Sequence, residues 1–369
     1  MREAGRSPSP AASLTMPRTL VRVPNWLGDI VMALPALRAI AAWPEAGTLA
    51  IAAPAAFVPI ARMIDGIDHV VPIASTGRAW GRAFAEDVAR LREGCYDRVV
   101  LLTNSFGSAW MARRAGVPER LGYRADGRGL LLTRAVSRRA GAVESRHHSH
   151  YYLRLLSRLG IPVPGDAATA WPRLAVPTAA REAARRLLAE RGLDVSRPIV
   201  GFAPGAAFGA AKRWPPRQVA EVVAALAAEG IGAVVVGAAA DRPTRDALES
   251  AFRERSGGRG GVPPFADLVG RTDLTALTAV LAECAALVSN DSGAMHVAAA
   301  VGTPVVAVFG PTDEQATAPL GEHTIVSASV FCRPCHLRTC PIDHRCMRRV
   351  TPAQVLAATK GHLARGGRS

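Results

Sequence analysis

The chain reads as an α/β protein built from two doubly wound, mostly parallel sheets. Three observations predict this. Short apolar runs alternate with helically spaced ones along 369 residues. The rhythm stops in a proline-rich stretch near the middle and then restarts, and each half repeats the sequence strand, small polar turn, helix. A chain of this length holds two ordinary domains, each able to bury its own core. Hydrophobic residues make up 49% and charged residues 20%, a folded rather than a disordered composition.

The opening is strand, glycine-containing loop, helix. Thr19 to Val23 is a β-branched and leucine run, Pro24-Asn25-Trp26-Leu27-Gly28-Asp29 forms the turn, and Ile30, Leu34, Leu37 and Ile40 recur at helical spacing. Asp29 stands near that helix start, where a carboxylate serves either as an N-cap or, at the end of a first strand, as a catalytic group. Strands follow at Leu49–Ala52, His69–Ile73 and Arg98–Thr103, with helical patterns at Phe57–Met63 and Arg78–Arg92 between them. Asn104-Ser105-Phe106-Gly107-Ser108 repeats the turn into a helix, and Gly122-Tyr123-Arg124 opens a basic, irregular loop. His147, His148 and His150 begin a tyrosine- and leucine-rich helix through Leu159; without a carboxylate at ligand spacing they favour a polar helix start over a metal site.

The prolines of Gly160 to Pro177 mark a linker. Beyond it come a helix at Ala179–Arg191 and a strand at Pro198–Ala203. That strand enters Pro204-Gly205-Ala206-Ala207-Phe208-Gly209-Ala210-Ala211-Lys212-Arg213-Trp214-Pro215, where small residues clear space and Lys212 and Arg213 bring charge. This is neither a Walker A loop nor a GxGxxG fingerprint, so it is a phosphate-facing loop of another kind. A strand at Ile231–Gly237, a helix after Asp241, a loop at Ser256–Pro264 and a brief strand at Leu268-Val269-Gly270 lead to Thr272-Asp273, which cap a helix at Leu274–Ala282. Cys284–Val288 is a buried strand. After it Ser289-Asn290-Asp291-Ser292-Gly293-Ala294-Met295-His296 turns into a helix over Val297–Gly302, with Asp291 or Ser292 as its cap. A helix N-terminus beside a small-residue turn binds anions. Pro304–Phe309 and Gly310-Pro311-Thr312-Asp313 add another strand and turn, so the loops of this half converge on one rim.

The 45 basic against 30 acidic side chains give a formal charge of +15, which suits a phosphorylated or otherwise polyanionic partner. A nucleic-acid module would interleave basic and aromatic residues, but aromatics are 5% and scattered, so nucleic acid is not expected. No apolar run is long enough to span a bilayer. The first fifteen residues lack the apolar core of a signal peptide and read as a disordered tail, or as an over-long start with Met16 the true beginning. Six cysteines in a chain without an export signal fit a reducing cytoplasm.

The segments VPNWLGDIVMALPALRAI, NSFGSAWMARRAGVPERLGYR, PGAAFGAAKRWP and SNDSGAMHVAAAVGTPVVAVFGPTD, in that order, resemble the lipopolysaccharide heptosyltransferases, most closely those of type II. The resemblance runs from Met16 onward. It implies a GT-B fold, two Rossmann-like domains facing each other across a cleft: a tail at 1–16, an acceptor-binding domain at 17–160, a linker at 161–177, a nucleotide-sugar domain at 178–350, and a final helix and tail at 351–369. It also implies inverting transfer of L-glycero-D-manno-heptose from ADP-heptose to a heptosylated Kdo-lipid A, with no cofactor required for catalysis. Asp29 would be the general base. Lys212, Thr272, Asp291, Ser292, Gly293 and His296 would hold the donor, and Asn25, Trp26, Gly28 and Asn104 would lie on the acceptor side. The resemblance places such a protein as a monomer in the cytoplasm of a Gram-negative bacterium, peripheral at the anionic inner face of the inner membrane. A type I heptosyltransferase, another nucleotide-sugar transferase, and a non-catalytic nucleotide- or polyanion-binding protein are the competing readings.

Cys332-x2-Cys335-x4-Cys340-x5-Cys346 stands apart from this scheme. The first pair has metal-ligand spacing, and four thiolates, or His336 and His344 in place of any of them, would suit a structural zinc. The competing expectation is a loop of reduced thiols with a packing role.

Overall fold

The structure is a computed structural model and describes residues 16–138, 146–165, 173–255 and 265–366. The first half contains β1 (Arg18–Arg22), α1 (Leu27–Met32), α2 (Leu34–Ala41), β2 (Thr48–Pro54), α3 (Val58–Ala61), β3 (His69–Ile73), α4 (Arg82–Glu93), β4 (Arg98–Leu101), α5 (Phe106–Arg114), β5 (Glu119–Arg124), β6 (Arg134–Ser137) and α6 (His148–Arg158). The second contains α7 (Thr178–Glu190), β7 (Ile199–Ala203), α8 (Pro216–Ala228), β8 (Gly232–Val235), α9 (Arg242–Arg255), β9 (Ala266–Asp267), α10 (Leu274–Ala282), β10 (Ala286–Asn290), α11 (Gly293–Ala300), β11 (Val305–Phe309), α12 (Glu314–Thr317), β12 (His323–Ser327), α13 (Arg345–Arg348) and α14 (Pro352–Gly366).

Each half is one six-stranded sheet, ordered β3-β2-β1-β4-β5-β6 in the first and β9-β8-β7-β10-β11-β12 in the second. Every pairing is parallel. Numbered within its own half, each sheet therefore runs 3-2-1-4-5-6, the dinucleotide-binding order. The order reverses between the first and fourth strands, and crevices open there at the carboxyl ends. The central strands are apolar on both faces, as sheets covered by helices must be: β7, β10 and β11 are buried throughout.

Several expectations are corrected. The helix expected through Ile30, Leu34, Leu37 and Ile40 is two helices parted at Ala33, because Pro35 lacks an N–H and its ring cannot follow an unbroken turn. The loop expected at Gly122-Tyr123-Arg124 is strand β5. Leu121 and Tyr123 face the core, while Arg120 spends its guanidinium on the Val117 and Leu131 carbonyls. The brief strand after residue 264 lies at Ala266–Asp267, ahead of the expected Leu268–Gly270. Strand β10 extends to Asn290 and α11 already begins at Gly293, so the turn between them is only Asp291 and Ser292. Edge strand β12, half-exposed, was not anticipated.

The tail at 1–15 and the loop at 256–264 lie outside the described residues, as do 166–172 of the linker. The described end of the linker is bonded to both halves, Leu174 N–H to the Ala300 carbonyl and Ala175 N–H to the Met63 carbonyl. Helix α14, the expected final helix, packs on α8 and the second sheet.

Candidate functional site

The carboxyl ends of the two sheets meet where α1 packs against α11. On the first half, β1 ends in Arg22, an arginine 5% exposed inside an apolar strand. Its Nη1 donates to the carbonyls of Val23 and Ala52, and its Nη2 to Asn25 Oδ1 at 2.6 Å. Burial pushes this guanidinium down to about 10, against the attraction of Asp87. Arg22 thus holds the turn that delivers Trp26, Gly28 and Asp29 to the cleft, and sequence reasoning missed it. The available signal was one arginine in the run Leu20-Val21-Arg22-Val23.

Asp29 is the third residue of α1 and does not cap it: Trp26 occupies the N-cap and no side chain bonds there. Its carboxylate is 29% exposed, with His148 Nδ1 at 3.8 Å from Oδ1. Trp26 is exposed beside it. Asn104, after β4, pairs with the Tyr151 hydroxyl at 2.7 Å, and the Tyr151 ring rests on Tyr123 with centroids 4.6 Å apart. Asn104 is therefore held by α6, one helical turn from His148. His147 caps α6 and reaches the second half. Its Nε2 lies 2.8 Å from the Ala318 carbonyl, which can only accept, so Nε2 carries the proton while Nδ1 accepts from Ser149 N–H. Burial lowers the His147 pKa, in keeping with this neutral form.

On the second half, Lys212 and Asp291 are joined. Nζ lies 2.6 Å from Oδ2, with the side chains 12% and 6% exposed. Thr312 donates to the same oxygen at 2.6 Å, and Lys212 Nζ sits 4.7 Å from the Phe208 ring centre. The sequence brought both residues to one rim but not into one ion pair. The loop bearing Lys212 is fastened from below by Asn290, which donates to the Pro204 carbonyl at 2.6 Å and accepts from Trp214 N–H. A strap at 331–346 fastens it from outside. Ala211 N–H donates to the Arg338 carbonyl at 3.0 Å, and His344 Nε2 lies 2.6 Å from the Ala211 carbonyl. Gly209 is obligatory here, since a Cβ would fall 2.3 Å from the Arg338 carbonyl oxygen.

The first turn of α11 closes the site. Ser292 is its N-cap in extended conformation, with no side-chain bond to the helix; its hydroxyl pairs with Ser289 at 3.2 Å instead. The expected capping by Ser292 or Asp291 is thus replaced by open N–H groups, the arrangement that receives an anion. Gly293 leans on Leu27 of the first half. His296 is 4% exposed with its ring against Gly28. Burial pushes His296 down to about 4, opposed by Asp291 and Asp29 and aided by His147 and Lys212. Residues of both halves therefore surround one neutral imidazole. Thr272 is half-buried, directly before the Asp273 cap of α10 on the same rim, and it makes no hydrogen bond among the described residues.

The four cysteines of the strap are free, and Cys346 is raised by burial and then by Cys332, Cys335 and Cys340. They share a neighbourhood, but among the described residues no three His, Cys, Asp or Glu side chains are arranged to hold a metal. Cys335 is exposed while Cys346 is buried.

The crevice therefore offers a half-exposed carboxylate on one wall. On the other it offers a buried ammonium, a neutral imidazole and open helix N–H groups, an arrangement chemically able to set a base against an anion.

Residues 87–345 match the profile of glycosyltransferase family 9 (heptosyltransferase). The chain is 32% identical over 307 residues to lipopolysaccharide heptosyltransferase 2 of Escherichia coli K12, covering 82% of this chain and 85% of that one. It is 28% identical to lipooligosaccharide heptosyltransferase 2 of Haemophilus influenzae, over 83% of this chain and 87% of that one. Among solved structures, ADP-heptose lipopolysaccharide heptosyltransferase II of Escherichia coli superposes with a TM-score of 0.76 at 28% identity, covering 95% and 99% of the two chains.

Proposed function

Because the chain belongs to glycosyltransferase family 9, the heptosyltransferases, we propose that it performs the type II reaction, moving L-glycero-D-manno-heptose from ADP-heptose to a heptosylated Kdo-lipid A. The two six-stranded sheets have the GT-B arrangement of that family. The observation that carries the reading is the meeting of Asp29, from one half, with Lys212, Asp291 and the start of α11, from the other, around His296.

Asp29 accepts the proton of the acceptor hydroxyl as its oxygen bonds to the anomeric carbon of the donor heptose. The bond from that carbon to the diphosphate oxygen breaks on the opposite side, and ADP departs with the electron pair. The charge developing on ADP faces Lys212 and the first N–H groups of α11, dipoles already oriented before the reaction. Asp291, which repels phosphate, suits the heptose hydroxyls and keeps Lys212 in place through their shared bond. His296, neutral, supplies an N–H without adding charge. Thr272 stands on the donor rim. Trp26, Asn25, Gly28 and Asn104 line the acceptor approach.

The two walls of the crevice come from the two halves of one chain, and the reading takes the enzyme to act as a monomer. No described helix is long and apolar enough to cross a membrane. The acceptor is a lipid, so the reading places the enzyme peripherally at the cytoplasmic face of the inner membrane. The test is ADP release from ADP-heptose with acceptors carrying zero or one heptose. Release is expected only with the mono-heptosylated acceptor; transfer to the heptose-free acceptor alone would assign type I chemistry instead.

A further inference from the structure

The loops after β3, β4 and β5 all emerge at the carboxyl edge of the first sheet, the edge that carries Asp29. Each presents a large apolar side chain to solvent: Trp80 is 78% exposed, Phe106 45% and Leu130 94%. Their loops abut. The Arg78 carbonyl lies 3.1 Å from where a Cβ of Gly107 would stand, and α5 packs on the short 3-10 turn holding Leu130. Phe106 also stacks on Trp110 with centroids 6.4 Å apart, and Arg114 lies over the Trp110 ring. Monomeric soluble proteins seldom leave such side chains together without a partner.

Exposed arginines border them: Arg78 and Arg82 on one side, Arg124 at the end of β5 on the other. Apolar rings within a cationic border match an interface of acyl chains under anionic headgroups. Position adds a constraint. An acceptor whose lipid stays in a bilayer must present its sugar to Asp29 at this edge, so the surface next to Asn104 is the one the bilayer meets.

We propose that Trp80, Phe106 and Leu130, with the arginines around them, form a docking surface for an anionic lipid bilayer. This rests on the lipid-acceptor reading given above. The side chains enter the interface, the arginines meet the headgroups, and the cleft mouth is held at the membrane plane.

The test measures co-sedimentation of the full chain with phosphatidylglycerol-containing vesicles and with phosphatidylcholine vesicles. It also measures turnover on an acceptor stripped of its acyl chains. Wild type is expected to bind the anionic vesicles. Trp80→Ser, Phe106→Ser and Leu130→Ser combined should weaken binding by roughly tenfold or more and leave turnover on the soluble acceptor unchanged. Arg78→Gln and Arg124→Gln, which leave the apolar side chains alone, should each weaken anionic-vesicle binding about fivefold, a readout that survives if the triple variant does not fold. Phe331→Ser and Ile342→Ser, exposed on the strap of the other half, should not change it. The proposal is overturned if wild type transfers to the soluble acceptor yet binds no vesicle, if only the strap variants lose binding, or if the patch instead drives concentration-dependent self-association. Vesicle binding lost in the triple variant, with no transfer to any acceptor by wild type, upholds the surface and sinks the enzymatic reading.

Discussion

Gly28 and His296 touch across the two halves: a Cβ on Gly28 would stand 2.8 Å from Cδ2 of the imidazole. Gly28 has an ordinary helical backbone within α1, so alanine is acceptable there to the chain itself and disfavoured only by the neighbour. Gly28→Ala should therefore destabilise the closed arrangement by roughly 1–3 kcal/mol, the usual cost of overpacking, and slow turnover. Adding His296→Ala should recover the lost stability. A denaturation series on the single and double variants checks this; equal losses in both would show that the contact is not the cause.

Asp29→Asn keeps the shape of the side chain and removes the base. Turnover should fall roughly a hundredfold to ten-thousandfold, while calorimetric ADP binding stays at the wild-type value. Near-normal turnover would remove Asp29 from the chemistry.

Lys212→Met leaves Asp291, 6% exposed, with Thr312 as its remaining partner. Breaking a buried pair from one side costs roughly 3–5 kcal/mol, and part of that should return in Lys212→Met with Asp291→Asn, where no charge is left unpaired. ADP affinity, by contrast, should stay low in the double variant, because the cation facing the diphosphate is gone. Urea midpoints and ADP titrations separate the two effects.

His296 gives the fold an acid-sensitive point. Its pKa is about 4 folded against an ordinary 6.5, so between those values the unfolded chain binds the proton that the folded chain refuses. The stabilisation is complete above about pH 6.5, is lost as pH falls towards 4, and amounts to roughly 3 kcal/mol. His296→Gln should flatten stability between pH 4 and 6.5, seen as a smaller drop in thermal midpoint on acidification. An unchanged acid slope would assign it to other groups.

The cysteine strap should behave as thiols that brace the Lys212 loop. Protein purified without added metal is expected to carry no stoichiometric zinc or iron, and to react with a thiol reagent at Cys335 ahead of buried Cys346. One equivalent of metal per chain, with all four thiols silent, would reverse this.

The strands, the turns after them and the residues borne on those turns were legible because each is a local pattern: apolar run, small residues, helix start. Lys212 and Asp291 were placed on one rim that way, whereas a role for His296 came only with the resemblance to the heptosyltransferases. What was not legible is how they combine. Lys212 and Asp291 are 79 residues apart, Thr312 and Asp291 21 apart, and nothing local says that Lys212 and Thr312 meet on one Asp291 oxygen. Arg22 was missed because its role is visible only once Val23, Ala52 and Asn25 surround it. Strand β5 was misread because its arginines, exposed or bonded to carbonyls, disguise the alternation of Leu121 and Tyr123.

The shared 3-2-1-4-5-6 order makes Asp29 and Lys212 counterparts: each follows the first strand of its own half, one as an anion and the other as a cation. Asn104 and Asp291 are counterparts in the same way, after the fourth strands. On the proposed reading the molecule divides into two modules, one bringing the base and the acceptor approach, the other bringing the grip on the nucleotide. A chimera joined near Leu174 and Ala175, where the linker is tied to both sheets, would exchange acceptor preference while keeping the donor. The pairs α1 with α11, α3 with α10, and His147 with the Ala318 carbonyl would need to be matched across the new seam.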